Sequence, residues 1–264
     1  MERVALSLMA GGSGERVKLS GVELTAKTQD GLEIELSGRA ELAAQADRGY
    51  ELENIDADLA FRAPTTRAAR ALLFDDIPEF GVLQASTKVQ STVGHPTLSD
   101  VKVSTEHEVG MKVRLGGAID AFPLDAEKPN TGYALDVDIQ SPEADPVLAL
   151  LDIDLPLAGP LDLAFRIEGK TPALQLNDIR LQAGTRKALS IRADGNMLFG
   201  DWSQPDPLTS MKFVISAYSH TTAALGRFSH TDALPELGPL DISGRIQTAA
   251  GKHRIEAIEL HTVD

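Results

Sequence analysis

The 264-residue chain has no cysteine, so it can build neither a disulfide nor a thiolate metal site, and that count leaves its compartment undecided. Aromatic residues make up only 5% of it, with a single tryptophan, a composition that fits a smooth aliphatic surface better than a pocket selecting one rigid ligand. Long apolar runs are missing too, since no window approaches ~18 uninterrupted apolar residues. The opening stretch from Val4 to Ala10 runs into Gly11-Gly12-Ser13-Gly14, too short and too polar for a signal peptide or an anchor. Positive charge is scarce: 25 Lys and Arg stand against 39 Asp and Glu, a net charge of -14. A nucleic-acid backbone or an anionic membrane surface would be repelled, so nucleic acid is excluded as a partner.

What is present is a repeat. Asp76-Ile77-Pro78-Glu79-Phe80-Gly81-Val82-Leu83 recurs as Asp154-Leu155-Pro156-Leu157-Ala158-Gly159-Pro160-Leu161 and as Ala233-Leu234-Pro235-Glu236-Leu237-Gly238-Pro239-Leu240, 78 and then 79 positions on. Ser99-Asp100-Val101-Lys102-Val103 matches Asn177-Asp178-Ile179-Arg180-Leu181, with echoes at Ser20-Gly21-Val22-Glu23-Leu24 and Ala257-Ile258-Glu259-Leu260. Gly38, Gly117 and Gly195 keep the same register. The chain thus divides into a partial repeat over 1–49, repeats over 50–128 and 129–206, and a partial repeat over 207–264 in one continuous array. Units at a fixed period bury their apolar surface by stacking on their neighbours.

Within a unit the hydrophobic period is two. Leu32, Ile34 and Leu36, then Met111, Val113 and Leu115, Tyr133 to Ile139, Leu161 to Ile167, and Met211 to Ala217 all alternate with polar residues, the mark of strands with one dry and one wet face. Gln29-Asp30-Gly31, Glu168-Gly169-Lys170, Ala183-Gly184-Thr185, Ala249-Ala250-Gly251 and Gly11-Gly12-Ser13-Gly14 read as hairpin turns, so successive strands are antiparallel. One short helix per unit is expected at Thr65 to Phe74, Asp145 to Leu151 and Thr221 to Phe228, with Pro64 and Pro146 at helix starts. The expected fold is mainly β with short helices: tandem repeats of about five antiparallel strands and one helix, forming an elongated curved sheet with an apolar groove. Its lining would be Val113, Leu115, Leu135, Val137, Leu163, Phe165, Phe213 and Ile215.

Catalytic signals are poor. His95, His107, His220, His230, His253 and His261 stand singly, without the spacing of a zinc site. The glycine run at 11–14 has no Lys and no strand-to-helix context for a phosphate loop. Asp136 and Asp138 alternate with apolar residues and face water, while Asp152 and Asp154 precede the repeated proline. No catalytic residue, metal ligand set or cofactor is expected, and the chain does not read as an enzyme.

The Leu-Pro-Glu-Leu-Gly-Pro-Leu string at 234–240, the strand bearing Ser243-Gly244-Arg245, the Asp178 to Gly184 segment and the short helix before the string together resemble the repeat of AsmA-like proteins of Gram-negative envelopes. The resemblance covers essentially the whole chain, and its motifs are structural punctuation. It implies a periplasmic segment, attached to the inner membrane through an N-terminal anchor outside these residues, that shields phospholipid or other acyl-chain lipid on its way toward the outer membrane. The related TamB and YhdP types and the chorein-type bridge proteins of eukaryotes carry the same implication. The alternatives are a non-transporting structural or assembly factor for outer-membrane biogenesis and, less favoured, a secreted repeat adhesin.

Overall fold

The computed structural model describes residues 3–45, 49–69, 80–91, 96–120, 132–150, 157–201, 207–222, 238–249 and 252–262. Its strands fall in groups of four: β1 (Arg3–Ser13), β2 (Arg16–Lys27), β3 (Glu33–Gln45) and β4 (Gly49–Ala63); β5 (Leu83–Ser91), β6 (Thr97–Glu106), β7 (Lys112–Asp120) and β8 (Gly132–Ser141). A third group follows as β9 (Leu161–Lys170), β10 (Ala173–Gly184), β11 (Leu189–Phe199) and β12 (Leu208–Ser219), then β13 (Leu240–Ala249) and β14 (Lys252–Thr262). Hydrogen-bonded order follows chain order from β1 to β14. The chain divides into two compact units, Met1–His107 with Arg114–Leu135, and Glu108–Val113 with Asp136–Asp264.

Among the described residues each period holds four strands, where the sequence suggests about five. The count was misread because several strands change the phase of their alternation partway. In β2 the apolar residues are Val17 and Leu19, then Val22, Leu24 and Ala26; in β10 they are Leu174 and Leu176, then Ile179, Leu181 and Ala183. A one-residue slip in pleat parity looks in sequence like one strand ending and another beginning.

The slip is a β-bulge. Between Leu19 and Val22 the chain advances three residues while its partner advances two, from Ala40 to Gly38. The same happens in β10 between Leu176 and Ile179 against Met197 and Gly195, and in β6 and β14 against β5 and β13. The extra residue is left-handed every time: Gly21 at φ 56°, Asp100 at 52°, Asp178 at 51° and Ala257 at 51°. These are the recurring landmarks of the sequence, 79, 78 and 79 positions apart. A bulge consumes one residue, so the apolar side chains on both sides of it return to the same sheet face. A fifth bulge, at Asn54 in β4, does the same between Leu52 and Ala57.

Several expected turns move. Gly11 to Ser13 lie inside β1 and the turn is Gly14-Glu15; Glu168 to Lys170 lie inside β9 and the turn is Thr171-Pro172. Gly184 still belongs to β10, with its turn at 186–188. Gly12 and Gly169 are needed for proximity: a Cβ would stand 2.2 Å from the Arg16 carbonyl oxygen and 2.7 Å from that of Ala173. Of the expected helices, the first is a 3-10 turn at Thr66–Ala69 and the second is α1 (Asp145–Leu150). The third, Thr221 to Phe228, lies outside the described residues beyond Thr222, and Pro78, Pro156 and Pro235 lie outside them too.

Left-handed backbone costs a non-glycine residue roughly 1–2 kcal/mol. Asp178→Gly is therefore expected to hold or raise the urea midpoint of the protein, and Asp178→Val to lower stability by about 1–2 kcal/mol, measured by circular dichroism. Equal effects of the two substitutions would remove the bulge from the account.

Candidate functional site: an apolar sheet face

Residues directly opposite in an antiparallel ladder share a face, so register alone assembles the surface. In the first unit Leu6 lies opposite Leu24, Leu24 opposite Leu36, Leu36 opposite Leu59 and Leu59 opposite Thr87. Beside it runs a row of Val4, Ala26, Ile34, Phe61, Ala85 and Val103, crossing six strands. At ~4.8 Å per strand that row is about 24 Å wide. In the second unit one row joins Leu163, Leu181, Ala193, Ile215 and Gly244, and its neighbour joins Ile179, Gly195, Phe213, Ile246 and Ile255.

Leu163, Phe165, Phe213 and Ile215 thus share one face, with Phe165 on the same side of β9 as Leu163 and with the bulge of β10 opposite it. Val113 and Leu115 alternate with Lys112 and Arg114 on β7, and Leu135 and Val137 with Asp136 on β8. Seven of these eight residues are half-buried and Val137 is buried. Sequence reasoning missed Ile179, Leu181 and Ala193 because the bulge breaks the alternation of β10 and because β11 mixes Ala, Gly and Met into its dry side. The landmark at Asn177-Asp178 was the signal that could have found them.

Burial along the strands is uneven, and this unevenness defines the site. The most enclosed apolar residues gather at one end of each strand set: Leu32 at 4% exposure, Leu83 at 5% and Ala63 and Ala69 at 0% in the first unit. Leu161, Leu157 and Leu240 at 2% and Ala144 at 0% are their counterparts in the second. Leu32, Met111 and Leu189, and likewise Leu83, Leu161 and Leu240, recur at the period, and all six are buried.

The short helical segments make this sealed end. In the first unit Leu32, Ala63, Ala69 and Leu83 form a cluster against which Ile34, Phe61, Ala68 and Val103 pack. Thr65 caps the 3-10 turn by accepting from the Ala68 amide at 3.2 Å, and the Phe80 amide donates to the Thr66 hydroxyl at 2.8 Å. Pro64 rests on Gly31 at φ 80°, and Pro142 rests on Gly110 at φ 82° in the same way, each leaving only 3.2 Å for a Cβ. Away from this end the apolar residues of the same rows are less enclosed, with Leu36, Leu59, Leu163 and Ile215 half-buried. The middle of the dry face is mixed: Leu36, Leu59, Leu181, Phe213 and Ile215 are half-buried, whereas Ala57, Val101, Ile179 and Ala193 are buried.

The other face is polar and laced with cross-strand pairs. Arg39 donates to Asp56 at 2.7 and 3.1 Å, Lys18 pairs with Glu41 at 3.4 Å and Arg166 with Asp136 at 3.7 Å, while Arg192 holds Asp194 along its own strand at 2.9 Å. These side chains are largely solvated, so each pair adds little stability and serves mainly register and solubility. A shallow depression on this face in the first unit is lined by Glu33, Glu35, Arg62, Lys102 and Arg114. His107 meets Phe80 edge to face at 6.1 Å, and His261 is 3.8 Å from Glu259. His95, His230, Asp152 and Asp154 fall outside the described residues. No helix among the described residues is long and apolar enough to cross a membrane.

No family model, curated protein or solved structure matches the chain.

The two ends of a strand are expected to differ in energy. Leu161→Ala, at the sealed end, should cost about 2–5 kcal/mol, and Leu163→Ala, two residues along on the same face, less than half as much, read by urea denaturation. Equal costs would mean that the middle of the face is as enclosed as its end.

On the polar face, Lys27 hydrogen-bonds and attracts Glu33 and holds its carboxyl below the ordinary 4.5, and Asn54, then Lys18, lowers Glu41. A lowered carboxyl contributes stability above its unfolded value, and that contribution is lost as pH falls through the folded one. Lys27→Met should move the Glu33 titration upward toward its ordinary value by carbon-13 NMR, leaving Glu41 where it was.

Proposed function

We propose that the half-exposed dry face shelters acyl chains of a phospholipid or similar lipid, in a periplasmic segment of an AsmA-like envelope protein, on the route toward the outer membrane. The supporting observation is the apolar row crossing six strands, most of whose side chains are not buried. Two chains with roughly fifteen buried methylenes each would lose about 24 kcal/mol on exposure to water, so a continuous dry surface is what such cargo requires. A surface whose aromatics are few and whose aliphatics are regularly spaced suits chains that slide better than a ligand that docks in one pose. The wet face, carrying the solvated ion pairs, keeps the sheet soluble while the dry face is loaded. The sealed end makes the face one-sided: chains would lie with their tips toward the helical segments and their polar heads toward the opposite strand ends.

The test is native mass spectrometry and fluorescent-phospholipid binding on the purified chain. Lipid should co-purify, and Phe213→Asp with Ile215→Asp should cut binding at least about tenfold, since a carboxylate is costly to desolvate beside a hydrocarbon chain. Val214→Asp, between them on the wet face where the valine is 53% exposed, should leave binding unchanged. Absence of lipid from the unaltered protein, together with no binding of added lipid, would leave the assembly-factor reading in its place.

A further inference from the structure

We infer that the depression on the polar face of the first unit is a binding site for a small phosphate-bearing anion. It has a volume of about 710 Å³ and is lined by Arg62 of β4, Lys102 of β6 and Arg114 of β7, with Glu33 and Glu35 at its β3 margin. Ladder register shows how it is built. One wet row runs through Lys27, Glu33, Arg62, Gln84 and Ser104, and the next through Glu35, Ala60, Ser86 and Lys102. Ala60, Ser86 and Ser104 are short and form a floor, while the long side chains around them form walls. Arg62 and Lys102 lie two strands and one alternation apart, so their Cα atoms are roughly 12 Å from each other, a span that both side chains can close over one anion.

The charges here are left over from the pairing that neutralises the rest of the face. Lys18, Lys27, Arg39 and Lys88, all on the wet face of the same unit, each hold an acid. Among the described residues no ion pair engages Arg62, Lys102 or Arg114, and all three are exposed. Lys27, with a smaller pull from Arg62, holds the Glu33 carboxyl below its ordinary value, so the Lys27–Glu33 pair is neutral. Among the lining residues Glu35 is then the acid left against three cations, in a chain whose net charge is -14. The second unit does not repeat the arrangement. One period on, Arg62 becomes Gln140, and Arg114 becomes Arg192, which Asp194 holds at 2.9 Å where the first unit has Gly116. The cluster is a departure from the repeat, not a by-product of it. Two guanidinium forks and an ammonium match the oxygens of a phosphate, and the Ser86 and Ser104 hydroxyls and the Gln84 amide add neutral donors. The adjoining depression, with Glu23, Glu35, Asp58 and Asp100, is acid-rich and repels the same ligand, which confines it to the Arg62 side. Net negative charge also repels long polyanions, so the ligand carries a single phosphate group, free in solution or at the head of a lipid.

The experiment titrates inorganic phosphate into the nitrogen-15-labelled full chain at constant ionic strength, with acetate as the control, and follows amide chemical shifts. Saturable shifts in β4 to β7 are expected with phosphate and not with acetate. Arg62→Gln combined with Arg114→Gln should weaken phosphate about tenfold, and Arg39→Gln, at an arginine already paired with Asp56, should leave it unchanged. Glu35→Gln should tighten phosphate about two- to fivefold, an effect that a damaged fold would not produce. Binding of glycerol phosphate without sedimentation on phosphatidic-acid vesicles would assign the site to a dissolved ligand; sedimentation that the double variant loses would assign it to a headgroup. Absence of saturable shifts, equal shifts with acetate, or an unchanged affinity in the double variant would each overturn the inference. The proposed acyl-chain surface is the opposite face of the sheet, and Phe213→Asp with Ile215→Asp should not alter phosphate binding, so the two readings stand or fall separately.

Discussion

A long strand that must keep one face dry cannot simply alternate if it also has to bend, because a bend made by inserting a residue reverses every side chain beyond it. The chain meets this constraint with left-handed bulge residues, recurring at the period at Gly21, Asp100, Asp178 and Ala257. In sequence each is followed by a switch from odd to even positions or the reverse, and the two changes cancel. The rows Leu6-Leu24-Leu36-Leu59 and Leu163-Leu181-Ala193-Ile215 exist only because the insertion in the backbone and the shift in the apolar pattern coincide.

With the face held on one side, the two ends of the strands can be treated differently. Helical segments, prolines set on left-handed glycines and threonine or serine hydroxyls returned to the backbone close one end. There the leucines approach the burial of a protein core. Farther along the same strands the side chains are of the same kind but half-exposed. A sandwich would have spent that surface on a second sheet about 10 Å away. The tightest burial is thus concentrated in a rim.

The polar face follows from the same arrangement. Ion pairs such as Arg39 with Asp56 and Arg192 with Asp194 are too solvated to hold the sheet together, yet they set opposite charges across neighbouring strands or along one strand and discourage slippage.

The period of 78 to 79 residues, the β character, the antiparallel sense and the division into dry and wet sides were legible in the amino-acid order, because pleat alternation and repeat spacing are properties of neighbouring residues. So were Leu163, Phe165, Phe213 and Ile215 as one surface. The four strands per period among the described residues, and the membership of Ile179 and Leu181 in that surface, were not legible, since a bulge is visible only where two strands are set side by side. The glycines at 12 and 169 looked like turns because close approach to a partner's carbonyl leaves the same residue type as a reversal does. Whether a dry side is covered is a question about distant parts of the chain, and alternation is identical in a filled sandwich and an open face. That one end of each strand set is sealed and its middle left half-exposed was decided by tertiary structure alone.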